Sequence, residues 1–465
     1  MELLQLTVLE RLTLENLDSL KFYILIKKAP SGAFFYAHKF DIPIIFITFC
    51  SNKRNMSQIK VLVIPSDRTG VSKFRSVDPH LALQNLYPED FWVDIDYEPQ
   101  LENDEYLKKY DIIHYHRTLS PNYDLSKKVA PRLKKLGIVS IMDLDDYWLP
   151  TIDHPAHMMV KQNNLDKLIV ENLKLAEHVN TTTPIFADEI RKLNPSVEVF
   201  PNAVDPKENQ FKIDTPDSDR LRVGWLGGSS HMEDLRILSG VVGKLQPHMD
   251  KLQFVLCGFD TRGSITFIDQ ATGEQKQRPI EPHESIWYKY EEIFTNKFST
   301  VSPEYHKHLL KFVEEEYANE VDMPYRRVWT KPITTYASNY NKFDISLAPI
   351  KEHTFNRVKS QLKVIEAGFH KKALIAQNYG PYQIDLISAA NHGGGFNNEG
   401  NALLVDTHKN HKMWDKHIKT LLLNPSLRED LGERLYESVQ KYHIDVVTKN
   451  RAEYYKMLVD KKNKQ

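Results

Sequence analysis

Cysteine is scarce in this chain, with two, Cys50 and Cys257, among 465 residues. Each lies in an apolar run (IFITFC and QFVLC), so buried free thiols are expected rather than a disulfide, and a reducing, cytoplasmic setting fits. An excess of one charge sign is also missing, 61 basic residues standing against 62 acidic ones. That balance argues against nucleic acid as a partner, while leaving room for a local basic patch that holds a phosphate. No stretch approaches the ~20 apolar residues a membrane helix needs. The charged start and small-residue cleavage site of a secretory signal are absent too. Short internal repeats and low-complexity tracts are not found.

Hydrophobic residues make up 41% and charged residues 26%, as in ordinary globular proteins. The length suits two large domains, because single cores stop growing near ~250–300 residues. Residues 1–55 carry apolar pieces, FYILI and IPIIFITFC, broken by Lys27, Lys28, His38, Lys39 and Asp41. They read as an extension outside the fold, such as a misplaced start codon would add; a segment making peripheral membrane contact is the alternative. At Met56 the sequence MSQIKVLVIPSD begins an α/β pattern.

From there short β-branched runs alternate with amphipathic stretches, which indicates parallel α/β layering. Strands are expected at 60–65, 111–117, 138–144, 178–183 and 197–202, with helices over 124–136 and 157–177. A polar segment with two prolines, 205–220, reads as a linker. A second series follows, with strands at 222–227, 252–258, 326–330, 344–350, 373–377 and 402–406. The expected organisation is a Rossmann-like domain over 56–205 and a second over 206–440. An insertion at about 259–325, with a helix at 303–319, decorates the second domain, and 441–465 forms a last helix and tail. Such sheets bind ligands at the carboxyl ends of their strands, so the loops there hold the candidates.

In SDRTGVSKFRS, Gly70 permits a tight turn, Ser72 offers a hydroxyl at a helix start, and Arg75 adds a charge-assisted donor for an acceptor or phosphate. An ordinary turn explains the same residues. In MDLDDYW, Asp143, Asp145 and Asp146 stand close together, which is costly unless they bind something or face water. They could ligate a divalent metal or contact sugar hydroxyls, Asp145 or Asp146 acting as base or charge stabiliser; surface acids capping a helix are the bland reading. The sugar-contacting role without a metal is favoured. His116 shares a strand face with His114 and lies nearer the carboxyl end, where it could serve the acceptor.

In VGWLGGSSH, Gly227 and Gly228 let a ligand approach the backbone, and Ser229 and His231 precede a helix start suited to a diphosphate. The loop is neither GxGxxG nor GxxxxGK[ST], which argues against a dinucleotide or ATPase site. In FNRVKSQLKVIEAGFHKKALIA, Lys359 and Lys363 are four apart and Glu366 seven from Lys359, which would place all three on nearly one helix face beside Ser360. Two lysines could bind phosphate and the carboxylate ribose; an exposed ion-pair ladder fits the spacing equally.

The order VGWLGGSSH, VWTKPITTYASNYNKFDISLAPI, then FNRVKSQLKVIEAGFHKKALIAQ resembles the carboxyl-terminal domain of retaining GT-B glycosyltransferases (group 1, family 4-like). The resemblance runs from about Ile59 to the last helix. It implies two Rossmann-like domains facing a central cleft, with the final helix crossing back to the first. It also implies a donor site in the second domain, where Glu366 matches the second glutamate of an E-x7-E element. The first glutamate falls at Val358, and the usual Arg and Lys of the donor loop fall near Trp225 and His231, so this is a divergent member. The function implied is transfer from a UDP- or GDP-sugar to a glycan or lipid-linked acceptor, in polysaccharide biosynthesis, without a cofactor. A nucleotide-sugar epimerase and a non-catalytic nucleotide-sugar binder are the alternatives.

Overall fold

The computed structural model describes residues 25–28, 33–36, 58–260, 262–268, 275–300, 323–390, 395–406 and 411–464. The chain divides into two compact units, Met1–Met56 and Ser57–Gln465. In the first, strands β1 (Leu25–Lys28) and β2 (Ala33–Tyr36) pair antiparallel. The rest of the expected extension, and the helix expected at 303–319, lie outside the described residues.

The second unit is built on two six-stranded sheets. The first orders β4-β3-β5-β6-β7-β8, the strands being β3 (Ile59–Ile64), β4 (Phe91–Ile95), β5 (Ile112–His116), β6 (Val139–Leu144), β7 (His178–Thr181) and β8 (Val197–Val199). The second orders β13-β10-β9-β14-β15-β16, with β9 (Leu221–Leu226), β10 (Leu252–Phe259), β13 (Tyr325–Trp329), β14 (Ile345–Ala348), β15 (Ala373–Gln377) and β16 (Leu403–Val405). Every pairing in both is parallel. Sheets of this kind are covered on both faces, which is why β5, β6, β10 and β15 are buried throughout. The order in which strands are added reverses once in each sheet, between β3 and β5 and between β9 and β14. In open parallel sheets such switch points are where crevices for ligands form.

Local chemistry sets the helix ends. Asn122 accepts from the backbone of Asp124 and Leu125 to start Tyr123–Lys135, and Thr183 with Pro184 starts Pro184–Arg191. The helix expected over 157–177 is two, His157–Gln162 and Leu165–Leu175, because Asn164 turns left-handed at φ 51°. The final helix, Ile444–Asn463, lies against the first sheet, where Ala452, Tyr455 and Leu458 pack with Val61, Val63, Ile112 and Ile141. Its Tyr455 hydroxyl is 2.9 Å from His80 Nε2. A hairpin of β11 (Ser264–Ile268) and β12 (Gln275–Pro279) precedes the helix Ile286–Thr300, whose Trp287, Tyr290 and Phe294 join the core of the second sheet. No described helix is long and apolar enough to cross a membrane.

Candidate active site

On the first sheet's side, β3 leads into a helical segment that begins α-helical at Gly70–Ser72, widens to a π turn at Lys73–Val77 and returns to α at Asp78–Leu86. The wide turn buries Phe74, Arg75 and Ser76. Arg75 Nε and Nη2 meet the two Asp143 oxygens at 2.9 and 2.8 Å, and Nη1 donates to Phe200 O (2.7 Å) and Asn202 Oδ1 (3.1 Å). This corrects the expectation of an anion donor at the loop, since a guanidinium that is 1% exposed and makes four bonds inside the core is not presented to a ligand. Ser72 is also buried and accepts from the Asp67 backbone at 3.1 Å, which closes the loop. Gly70 lies against Ile333 of the second sheet's side, and an added Cβ would come within 2.7 Å of its Cδ1.

The acid cluster is divided among partners. Asp143 belongs to Arg75, and His114 lies 3.6 Å away. Asp145 accepts from His116 Nε2 at 2.9 Å and from Arg117 Nη2 at 3.1 Å, and Asp146 stands 3.6 Å from the same guanidinium. Burial opposes ionisation of Asp145, yet Arg117 and His116 outweigh it and hold this carboxyl below the usual range. Burial and the neighbouring Asp145 push Asp146 the other way. His116 Nδ1 is paired with Ser66 Oγ at 2.7 Å, so both ring nitrogens are occupied and it orients Asp145 rather than facing a substrate. Arg117, not singled out in the sequence, is left-handed at φ 63° at the switch point, a strained backbone that aims its side chain at both acids. Among the described residues no cluster of His, Cys, Asp or Glu has the arrangement of a metal site.

On the second sheet's side, β9 is followed by Gly227, Gly228 and Ser229, the last two exposed. The helix that follows is one turn, Met232–Leu235. Tyr290 backs this loop, accepting from His231 N at 2.9 Å. Asp234 ties the two strands at the switch point: Oδ2 meets His231 Nδ1 at 2.7 Å, and Oδ1 accepts from Lys351 N and Asn356 Nδ2, each at 2.8 Å. Burial, with Lys359 nearby, lowers His231 to about 4 against the pull of Asp234, so the ring is neutral and Nε2 keeps a lone pair.

The single helix expected around Lys359 is interrupted. Thr354–Arg357 ends, and Leu362–Phe369 begins after a turn that holds Lys359 and Ser360, while Val358 is buried in the first sheet's core. This corrects the shared helix face, because the chain dips into the opposite half where the ladder would continue. Lys359 Nζ lies 4.9 Å over the Phe355 ring, close enough in charge to influence Asp146, His231 and Asp234. Lys363 donates to Leu226 O and lies 5.0 Å over Trp225, where burial lowers it to about 8. Among the described residues neither lysine has a carboxylate at ion-pair distance. Glu366 is 3% exposed, its oxygens taking the hydroxyls of Tyr336 and, at 3.2 Å, Tyr340. Burial pushes its carboxyl well up, and it presents no free face to the cleft. Asn202 donates to Ser360 Oγ at 3.1 Å, and Lys351 reaches Asp153 at 3.4 Å across the same cleft.

Two Rossmann-like halves around such a cleft define the GT-B architecture. Solved structures share it: a glycosyltransferase from Rickettsia africae ESF-5 has 14% identity over 86% of this chain and 99% of its own, with a TM-score of 0.53. Alr3699/HepE of Anabaena, in complex with UDP-glucose, has 13% identity over 86% and 99%, at 0.51. The catalytic domain of starch synthase IV from Arabidopsis thaliana, bound to ADP and acarbose, has 11% identity over 88% and 100%, at 0.51. No protein-family model and no curated protein matches the sequence. At such identities the likeness is one of fold, and the chain has the GT-B fold.

Proposed function

We propose that the protein is a glycosyltransferase that moves a sugar from a UDP- or GDP-sugar to a glycan or lipid-linked acceptor. The observation that carries this is Lys363 at Gly227 with Lys359 beside His231 and Asp234, two cations without a described carboxylate partner at a switch point. They would receive the diphosphate as its bond to the anomeric carbon breaks, taking up the charge that a metal supplies elsewhere. Asp146, facing Lys359 and Arg117 from the first half, is the carboxylate we assign to the incoming hydroxyl. The acceptor oxygen bonds to the anomeric carbon, the electron pair of the broken bond leaves on the diphosphate, and the hydroxyl proton passes to the Asp146 carboxylate. Asp145 and His116 orient this corner. Glu366 holds the hydroxyls of Tyr336 and Tyr340 in the core of this half. In this reading 56–205 holds the acceptor, 206–440 the donor, and retention of configuration follows the family resemblance.

A second reading rests on the His231–Asp234 pair, a neutral imidazole backed by a carboxylate beside the donor loop, which suits proton transfer on the donor sugar itself, as in a nucleotide-sugar epimerase. A thermal-shift panel of nucleotide sugars followed by product analysis with donor alone separates the two. Transfer predicts stabilisation by UDP- or GDP-sugars, lost in Lys359→Ala and Lys363→Ala, and an Asp146→Ala variant that binds donor without turnover. An epimerised donor would overturn it.

A further inference from the structure

Arg75 donates and never accepts, so the Asn202 atom 3.1 Å from its Nη1 is the amide oxygen. That fixes the amide orientation and turns Nδ2 toward Ser360 Oγ, 3.1 Å away. Asn202 is 6% exposed and lies just past β8; Ser360 is partly exposed in the turn beside Lys359. Because Ser360 Oγ accepts from Asn202, its own proton is left to donate. The chain Asp143, Arg75, Asn202, Ser360 thus runs from the core of the first half to the surface of the second, and each donor orients the next group.

We propose that Asn202 is a positioning residue of the donor site: the first half contributes it, and it holds the Ser360 hydroxyl so that its proton points at an oxygen of the nucleotide's diphosphate. The inference rests on the nucleotide-binding part of the reading above. It makes donor binding sensitive to the juxtaposition of the two halves, because the group that orients Ser360 belongs to neither its helix nor its sheet.

Asn202→Asp tests it. The aspartate keeps an oxygen for Arg75, but its second oxygen accepts, so the Ser360 proton turns inward and is lost to the ligand. Calorimetric titration of the full chain with UDP and with GDP should show roughly five- to tenfold weaker binding, the scale of one hydrogen bond. Ser360→Ala should lose as much and Ser360→Thr little. The double variant that combines Asn202→Asp with Ser360→Ala should lose no more than either single change, since all act through one hydroxyl. Asn202→Ala, which leaves Arg75 Nη1 its bond to Phe200, stands in if Asn202→Asp does not fold. Wild-type affinity in the Asn202 variants, or losses that multiply in the double variant, overturns the proposal. Failure of the unaltered protein to bind either nucleotide removes the nucleotide reading itself and this inference with it.

Discussion

Lys363 combines a close backbone acceptor, an aromatic face and little water, and its ammonium is lowered to about 8 by burial. An ordinary lysine titrates near ~10.4, so between those values the unfolded chain binds more protons than the folded one. This group therefore adds stability as pH rises through that window and opposes folding below it. A bound diphosphate reverses the preference, favouring the charged form and raising the pKa. Nucleotide affinity should accordingly be level near pH 7 and fall above about pH 8, up to ~tenfold per unit, with proton uptake on binding. Titration calorimetry from pH 7 to 9 in two buffers of different ionisation enthalpy measures both, and Lys363→Met should abolish the slope. An unaltered protein with pH-independent affinity would remove Lys363 from the anion site. At this scale the sequence was legible in placing Gly227 and Gly228 just past the carboxyl end of β9, but not in the Lys359–Lys363 spacing, since that helix starts only at Leu362. It was not legible at Arg75, since a π turn leaves no mark in residue types and swings that side chain into the core. Arg117 was hidden likewise, as a strand-end arginine gives no sign of a left-handed backbone.

The eleven strands anticipated from β-branched runs in the second unit all appear, because parallel strands buried on both faces must be almost continuously apolar. β4 escaped notice. It is an edge strand, and its Trp92 is 40% exposed, so FWVDI lacks the pattern of a buried run. The helix interruption at Val358 escaped too, since only the fold of the other half explains why an apolar residue leaves its helix there. β10 shows how such elements shape the Gly227–Ser229 loop. Pairing of β10 with β13 slips at Gly258, which adopts φ +101° and would place a Cβ 2.4 Å from Gly227 O. Gly258→Ala must either strain this backbone or push the Gly227 carbonyl outward. We expect a loss of about 2 kcal/mol in urea unfolding, together with weaker nucleotide binding if the displaced carbonyl belongs, as proposed, to the loop that receives the diphosphate. Stability lost with affinity unchanged would separate the β10 bulge from the donor loop.

At the scale of the second unit, the chain ends by returning to the first sheet. Tyr455 sits 375 residues beyond His80, yet its hydroxyl meets that ring at 2.9 Å, and its own ring is fully buried among Val61, Val63 and Ile141. The first sheet's core is thus completed by residues made last, while the second sheet's core is assembled from its own strands and the helices Ile286–Thr300 and His411–Leu423. The two halves share the polar contacts of the cleft, the Val358 insertion and a few apolar touches such as Gly70 on Ile333 and His154 on Phe355, a thinner connection than the apolar packing inside either core. Tyr455→Ala opens a cavity in the first core and leaves His80 Nε2 without its hydroxyl partner, a cost of about 3–5 kcal/mol for a buried aromatic. If the cores are separate cooperative units, that cost falls on one of them. Hydrogen exchange should then quicken at the amides of β3, β5 and β6 and remain at wild-type rates in β9, β10 and β15. Equal acceleration in both sheets would instead mean that the halves unfold as one body, and that the cleft contacts bind them far more tightly than their polar character implies.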